Sequence, residues 1–252
     1  MTVSSDWLQA APLVIAHRGA SVAAPENTLA AFEQAVQLGA EAIELDAKRT
    51  RDGQVVCFHD RSLVRTAGVS GAVADRTLAE LRRLDVGAWK DERFRSERIP
   101  TLAEALEAVG RRVLVNVELT DYWWDQRRLA EAAVAVVKQQ GLEARVLFSS
   151  FQSSALVAAA AQAPEIARAH LVGPTWLATR DRFSLRRAAV QAEHPHESLV
   201  RPERVERAHR CGRRLHVYTV DDAETMKTLW RWGVDGLITD VPEVARRMRE
   251  AA

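Results

Sequence analysis

Ala42-Ile-Glu-Leu-Asp-Ala-Lys-Arg-Thr-Arg-Asp-Gly-Gln-Val-Val-Cys-Phe58 is the stretch on which the fold turns. Residues 42–50 read as one strand and Val55–Phe58 as another, both rich in β-branched and apolar side chains. Between them, Asp52-Gly53 is a strong tight-turn signal, and the gap leaves no room for a crossover helix. The second strand therefore runs antiparallel to the first, as an excursion from the sheet to which the first belongs.

Away from this hairpin, short apolar runs alternate with longer amphipathic stretches rich in Ala, Leu and Glu. The runs are Leu13–Ala16, Ala42–Asp46, Val55–Phe58, Val113–Val117, Val146–Phe148, Ala169–Val172, Ala189–Ala192, Leu215–Tyr218 and Gly236–Thr239. In Leu29–Leu38 the helical period puts Leu29, Phe32, Ala35 and Val36 on one face, and Gly39 ends the turn. Strand–helix alternation predicts a parallel α/β fold. Removing the excursion from nine candidate strands leaves eight, which predicts an α/β (β/α)8 TIM-type barrel, and 252 residues match its usual size of roughly 250. A doubly wound open sheet is the alternative, but no Gly-x-Gly-x-x-Gly follows the first strand. The pattern loosens over about 61–100, with Gly68, Gly71, Gly87, a charged run Lys90–Arg98 and a short helix pattern at Leu78–Leu84. This reads as a small inserted subdomain after the second strand, within a single domain spanning 1–252. Leu102–Val109 resumes the barrel helices.

Composition narrows the partners. With 35 basic and 34 acidic residues the net charge is +1, so there is no electrostatic footprint for nucleic acid and no polybasic membrane anchor. No apolar run approaches the roughly 20 residues needed to span a bilayer. Met1–Ala11 contains Asp6 and lacks a basic start followed by an apolar stretch, so a signal peptide is not expected. Cys57 and Cys211 do not make a disulfide framework or a zinc site. The expectation is a soluble, cytoplasmic enzyme acting on a small molecule; oligomeric state is not legible.

Catalytic groups of such a barrel sit at the C-terminal ends of its strands. The first strand ends in His17-Arg18-Gly19, the second carries Glu44 and Asp46, the excursion ends in His59-Asp60, and the next strand ends in Asn116 and Glu118. Glu44 and Asp46 share one side of their strand, with Cα atoms about 6.6 Å apart. If Glu118 reaches the same mouth, three carboxylates repel one another and need a shared proton, a nearby cation or a bound divalent metal. An all-oxygen set suits Mg²⁺ or Ca²⁺ better than zinc. The plainer reading pairs these acids with Arg18 or Arg49. His17 and His59 form a candidate acid/base pair, and Arg18 a clamp for an anionic oxygen. Together these groups suit cleavage of a phosphate ester.

Ile15-Ala-His-Arg-Gly-Ala20, Pro25-Glu-Asn-Thr28, Ile43-Glu-Leu-Asp46 and Phe58-His-Asp60 resemble the glycerophosphodiester phosphodiesterase family. Ile99-Pro-Thr-Leu102, Asn116-Val-Glu118, Ser149-Ser-Phe151 and Gly233-Val-Asp-Gly-Leu-Ile-Thr-Asp240 continue the resemblance along nearly the whole chain. It implies a TIM-type barrel with a small insertion after the second strand. It also implies hydrolysis of glycerophosphodiesters to glycerol 3-phosphate and an alcohol. One divalent cation, Mg²⁺ or Ca²⁺, would be held by Glu44, Asp46 and Glu118. His17 and His59 would be catalytic, and Arg18, Thr120, His194 and Tyr218 would contact the substrate. Glu26 and Asn27 would shape the first loop, with helix N-capping as the other reading of Asn27. Two positions depart from the family's habit. Thr120 stands where a lysine is common, and Tyr218-Thr-Val-Asp221 stands where Trp-Thr-Val-Asn is usual. Two alternatives stand beside this reading: lysophospholipase D-type cleavage of lysophospholipids, with the tryptophans facing acyl chain, and a non-catalytic phosphodiester-binding barrel, for which Thr120 is the motivating residue. Tyr122-Trp123-Trp124, Trp176 and Phe183 are candidate entrance or cover residues, with loop packing as the plainer reading. Cys57 reads as a buried apolar group rather than a nucleophile.

Overall fold

The computed structural model describes residues 5–9, 12–120, 126–174 and 186–252. Its strands are β1 (Leu13–Ala16), β2 (Ala42–Arg49), β3 (Val55–Cys57), β4 (Leu114–Leu119), β5 (Val146–Ser150), β6 (Ala167–Val172), β7 (Ala192–Pro195), β8 (Arg214–Val217) and β9 (Gly236–Thr239). The sheet runs β1-β9-β8-β7-β6-β5-β4-β2-β3, and pairing of β1 with β2 closes eight parallel strands into a barrel. β3 hangs antiparallel on β2, with Arg49 opposite Val55 and Ala47 opposite Cys57, as the Asp-Gly turn requires. The barrel and its insertion are thus as the sequence predicts.

One strand lies elsewhere. The apolar run Ala189–Ala192 was expected to be a strand, but β7 begins only at Ala192. Ala189 has φ +47°, a left-handed turn conformation, and Ala188 and Val190 pack outside the barrel against Leu156. Pairing in register with β6 (His170 with Glu193, Leu171 with His194) selects the more polar segment that follows.

Helices cover the outer face. α1 (Asp6–Gln9) lies under the barrel, α2 (Leu29–Gln37) follows β1, and α5 (Leu102–Val109) precedes β4. Thr28 caps α2 by accepting from Ala31 N, and Thr101 caps α5 with Glu104 closing the capping box. Such caps contribute about 1 kcal/mol each. Between strands and helices lies the larger apolar shell, with Phe32, Ile43, Leu102, Leu106 and Phe148 fully buried. A second cluster fills the barrel's lower interior with Leu13, Ile15, Leu114, Leu147 and Ile238. Trp7 of α1 closes this end, its Nε1 donating to Arg145 O at 2.9 Å. The interior below is therefore a packed floor, and the open side is the rim at the strands' C-terminal ends.

Residues 61–100 form short pieces, α3 (Val64–Ala67) and α4 (Leu78–Leu81) with 3-10 turns at Val73–Asp75 and Glu92–Phe94. Leu63, Val73, Leu81, Val86 and Ile99 pack with Val56 and Phe58 in a separate small apolar cluster. This anchors the segment beside β3, on the same rim as the end of β1.

Candidate active site

The rim is assembled first by a tight turn after β1. Arg18 and Gly19 both adopt left-handed backbone, φ 55° and 82°. A Cβ on Gly19 would stand 2.6 Å from the backbone of Ala31, so only glycine lets this loop lie against α2. The strained turn aims Arg18 N at Glu44 Oε2, 2.9 Å away, while Arg18 O accepts from Asn27 N at 3.0 Å. A backbone amide and a guanidinium of one residue thus both face the acids.

Glu44 and Asp46, alternate residues of β2, point inward with Glu118 of β4, which is the register partner of Asp46. One carboxylate oxygen from each lies within 4.8 Å of the others. Two oxygens on opposite sides of a calcium-sized ion span up to about 5.2 Å, so the spacing admits a cation at their centre. Arg18 supplies part of the compensation: its Nε is 3.2 Å from Asp46 Oδ2 and its Nη1 donates to Glu26 Oε1 at 2.9 Å. Burial alone would push the Asp46 carboxyl up, but Arg18, His59, Asn27 and His17 together hold it below its ordinary value. Glu44 is different. Burial, with the charges of Asp46 and Glu118, pushes it well above its ordinary value, and its Oε1 has no hydrogen-bond partner among the described residues. The arginine reading is therefore correct for Asp46 and insufficient for the set. A buried, unmatched oxygen in an all-carboxylate cluster fits a hard divalent cation.

Asn27 does more than shape a loop. Its Nδ2 donates to Asp46 Oδ2 at 2.8 Å and its Oδ1 accepts from Asp46 N at 3.1 Å, while Thr28 takes the N-cap role.

Each imidazole has its own carboxylate. His17 Nδ1 lies 2.7 Å from Asp240 Oδ1, and His59 Nδ1 lies 2.7 Å from Asp60 Oδ1. Asp240 is held below its ordinary value, where His17 and Ser21 outweigh burial, and Arg65 with His59 lowers Asp60 to about 2. Ionised carboxylates only accept, so each ring donates from Nδ1. His17 Nε2 is 4.0 Å from Glu44 Oε2, which places it at the acid cluster. Asp240 is itself fixed: Ser21 Oγ donates to its Oδ1 at 2.9 Å, and Asp221 Oδ1 accepts from Asp240 N at 2.8 Å. Asp221 thus braces the chain at Asp240 and lies outside the cavity lining. On the other flank Arg65 of α3 bridges Glu26 and Asp60, with N–O distances of 2.6 to 3.0 Å.

His17, Arg18, Glu44, His59, Asn116, Glu118, Phe151, Leu171, Tyr218, Thr219 and Ile238 line one cavity of about 220 Å³. One wall is charged, the other apolar and aromatic, with Tyr218 edge-on to Phe151. Burial and the charge of Glu118 push the Tyr218 phenol up, so it remains a hydroxyl.

Two expected substrate contacts lie elsewhere. His194 is fully buried in the barrel interior, its Nε2 3.0 Å from His216 Nδ1, so it is not a rim residue. Strand alternation turns it inward, where it is covered and outside the cavity lining. Burial lowers both rings, His216 to about 4, and they stay neutral. Thr120 is 1% exposed and lies outside the cavity lining; its hydroxyl donates to Ala47 O and accepts from Lys48 Nζ at 3.1 Å. An ammonium therefore does stand beside position 120, contributed by β2. Tyr122, Trp123, Trp124, Trp176 and Phe183 lie outside the described residues. Cys57 is buried in the outer core, which raises its thiol.

Sequence reasoning missed Asp240 and Asp60 as partners of the two rings, and Arg65 altogether. The pairs His59-Asp60 and Thr239-Asp240 at strand ends were the available signals; for Arg65 there was none.

Residues 17–244 match the profile of the Glycerophosphoryl diester phosphodiesterase family. The chain is 40% identical over 238 residues to a glycerophosphodiester phosphodiesterase of Caldanaerobacter subterraneus subsp. tengcongensis, covering 92% of this chain and 95% of that one. It is 33% identical over 241 residues to a glycerophosphodiester phosphodiesterase of Bacillus altitudinis, covering 94% and 98%. Among solved structures, an Oleispira antarctica phosphodiesterase in complex with the product sn-glycerol-3-phosphate superposes with a TM-score of 0.87 at 35% identity, covering 95% and 97%.

Proposed function

Because the chain belongs to the glycerophosphoryl diester phosphodiesterase family, we propose that it hydrolyses glycerophosphodiesters to glycerol 3-phosphate and an alcohol with the rim cluster as its active site. The observation that carries this reading is the meeting of three carboxylates, one guanidinium and two carboxylate-anchored imidazoles around one cavity. Glu44, Asp46 and Glu118 would hold a divalent cation, Mg²⁺ or Ca²⁺. When bound, that ion neutralises charge on the phosphate oxygens and supplies Lewis acidity.

The chain's own groups do the rest. Arg18 presents its guanidinium at the cavity, anchored by Glu26 and Asp46, and takes a non-bridging phosphate oxygen. One imidazole Nε2 removes a proton from the attacking hydroxyl, and the other delivers a proton to the departing alkoxide. Their Nδ1–H bonds to Asp240 and Asp60 fix ring orientation and stabilise each ring while it is charged. Positioned proton transfer of this kind contributes about 10²–10⁴-fold. The apolar wall of Phe151, Leu171 and Ile238 accepts carbon rather than charge, which suits a glycerol backbone.

Release of glycerol 3-phosphate from glycerophosphocholine, followed with chelator-stripped protein before and after adding Mg²⁺ or Ca²⁺, tests the assignment. Activity is expected only with metal, and Glu44→Ala and His17→Ala should each abolish it. Undiminished turnover in either variant removes the site.

A further inference from the structure

Asn116 stands on β4 beside Glu44 on β2; the two are register partners, one step below the partnered Asp46 and Glu118. Both line the active-site cavity. Asn116 is 1% exposed, and its Oδ1 has no hydrogen-bond partner among the described residues; Glu44 Oε1 is in the same position. An unmatched buried acceptor costs about 1–3 kcal/mol. Two such oxygens in register on adjacent strands cannot satisfy each other while Glu44 is ionised; either a proton or a cation must sit between them. Of the buried Arg18 side-chain donors, Nε lacks a hydrogen-bond partner among the described residues, and it lies 3.2 Å from Asp46 Oδ2. Arg18 N bonds Glu44 Oε2, and the Arg18 guanidinium faces Asp46 and Glu26.

A single electron-pair acceptor placed between the strands satisfies both oxygens. We propose that Asn116 Oδ1 is a fourth protein oxygen for the divalent cation, beside Glu44, Asp46 and Glu118; the inference rests on the carboxylate cation site of the preceding section. A neutral amide adds coordination without adding a fourth like charge to three crowded carboxylates. It also bears on which ion is preferred. Ca²⁺ accepts six to eight oxygens in flexible geometry, whereas Mg²⁺ keeps several waters of a strict octahedron. Loss of Asn116 therefore penalises Ca²⁺ more than Mg²⁺.

Titration calorimetry of Ca²⁺ and Mg²⁺ into chelator-stripped wild type, Asn116→Ala, Asn116→Asp and Glu44→Gln tests this, with circular dichroism reporting the fold. Asn116→Ala is expected to weaken Ca²⁺ about tenfold or more, and Mg²⁺ less. Asn116→Asp, which keeps an oxygen in place, should bind Ca²⁺ at least as well as wild type, and Glu44→Gln should lose it. Wild-type Ca²⁺ affinity in Asn116→Ala with loss in Glu44→Gln overturns the inference and leaves the carboxylate site standing. Wild-type affinity in Glu44→Gln as well overturns the site itself. Equal weakening in Asn116→Ala and Asn116→Asp also overturns it, because the amide NH₂ rather than the oxygen is then what matters. If Asn116→Ala does not fold, Asn116→Asp decides alone.

Discussion

Asp240→Asn isolates the electrostatic half of the His17 arrangement. The substitution preserves shape and an oxygen that accepts from His17 Nδ1 and Ser21 Oγ, now 2.7 and 2.9 Å from Asp240 Oδ1. What disappears is the negative charge behind the ring. A charge-assisted hydrogen bond exceeds a neutral one by roughly 1–1.5 kcal/mol, or about tenfold in rate if that difference is felt only when the imidazole is charged. Coulomb's law sets the other bound: unit charges about 4 Å apart in an effective dielectric of about 20 interact by about 4 kcal/mol, or roughly 10³-fold. His17 and Asp240 side chains are 20% and 33% exposed, so solvent screens the pair, and a fall of about 10- to 100-fold in kcat/KM is expected. The assay is glycerol 3-phosphate release at saturating metal, with calorimetric metal affinity as a control that should not move. Wild-type kcat/KM in Asp240→Asn refutes the reasoning, and so does a rate loss that tracks weakened metal binding.

Gly19→Ala forces a methyl to within 2.6–2.8 Å of Ala31 at φ +82°; it should lower the thermal midpoint by the equivalent of about 1–3 kcal/mol, and an unchanged melt counts against the turn's role. Arg65→Met removes the guanidinium that, with His59, lowers Asp60 to about 2. A lowered carboxyl contributes stability above its unfolded value of about 3.8 and loses it as pH falls through about 2, so the variant should be less stable at pH 5 by at most roughly 2 kcal/mol. In acid melts the two proteins should converge between pH 4 and pH 2; a constant gap overturns the linkage. Thr120→Val strips Lys48 Nζ of a buried acceptor and should cost about 1–3 kcal/mol in denaturant unfolding with KM unchanged, whereas a tenfold rise in KM returns Thr120 to the substrate.

The barrel was legible because its signals are local. β-branched runs and one Asp-Gly turn located β1 and β9 to the residue and separated β3 from the ring. At β7 the composition of Ala189–Ala192 matched a strand, but strand position there is set by pairing with β6, a non-local choice. The acids were legible for the same local reason: Glu44 and Asp46 are two apart on one strand, and alternation obliges them to share a face. Alternation gives a face but not an exposure, and so His194 was assigned to the rim when it is fully buried against His216. The His17–Asp240 bond joins residues 223 positions apart, the two ends of the ring, and only barrel closure brings them together. Thr120 was read as a missing charge because Lys48 sits 72 residues away in sequence, on the neighbouring strand.

The two histidines are supported in unlike ways, and the difference follows from where their elements come from. His17 is braced within the ring: Asp240 orients it, Ser21 and Asp221 fix Asp240, and all four follow strands that close the barrel. His59 stands at the end of the short β3 excursion, where no second barrel strand can brace it. Its support is instead a chain of ion pairs running from Arg18 through Glu26, Arg65 and Asp60 to the ring. That chain is about half-exposed at Arg65, which an isolated surface pair could not use to hold geometry well. Two carboxylates gripping one guanidinium fix it from both sides, and the planar fork transmits orientation as a point charge could not. The insertion thus positions Arg18 and the second imidazole with a single residue; under the proposed function, both groups would already be oriented when substrate arrives. Replacing Arg65 with lysine keeps the charge and loses the fork; on this argument it should disturb catalysis nearly as much as Arg65→Met while restoring most of the acid stability.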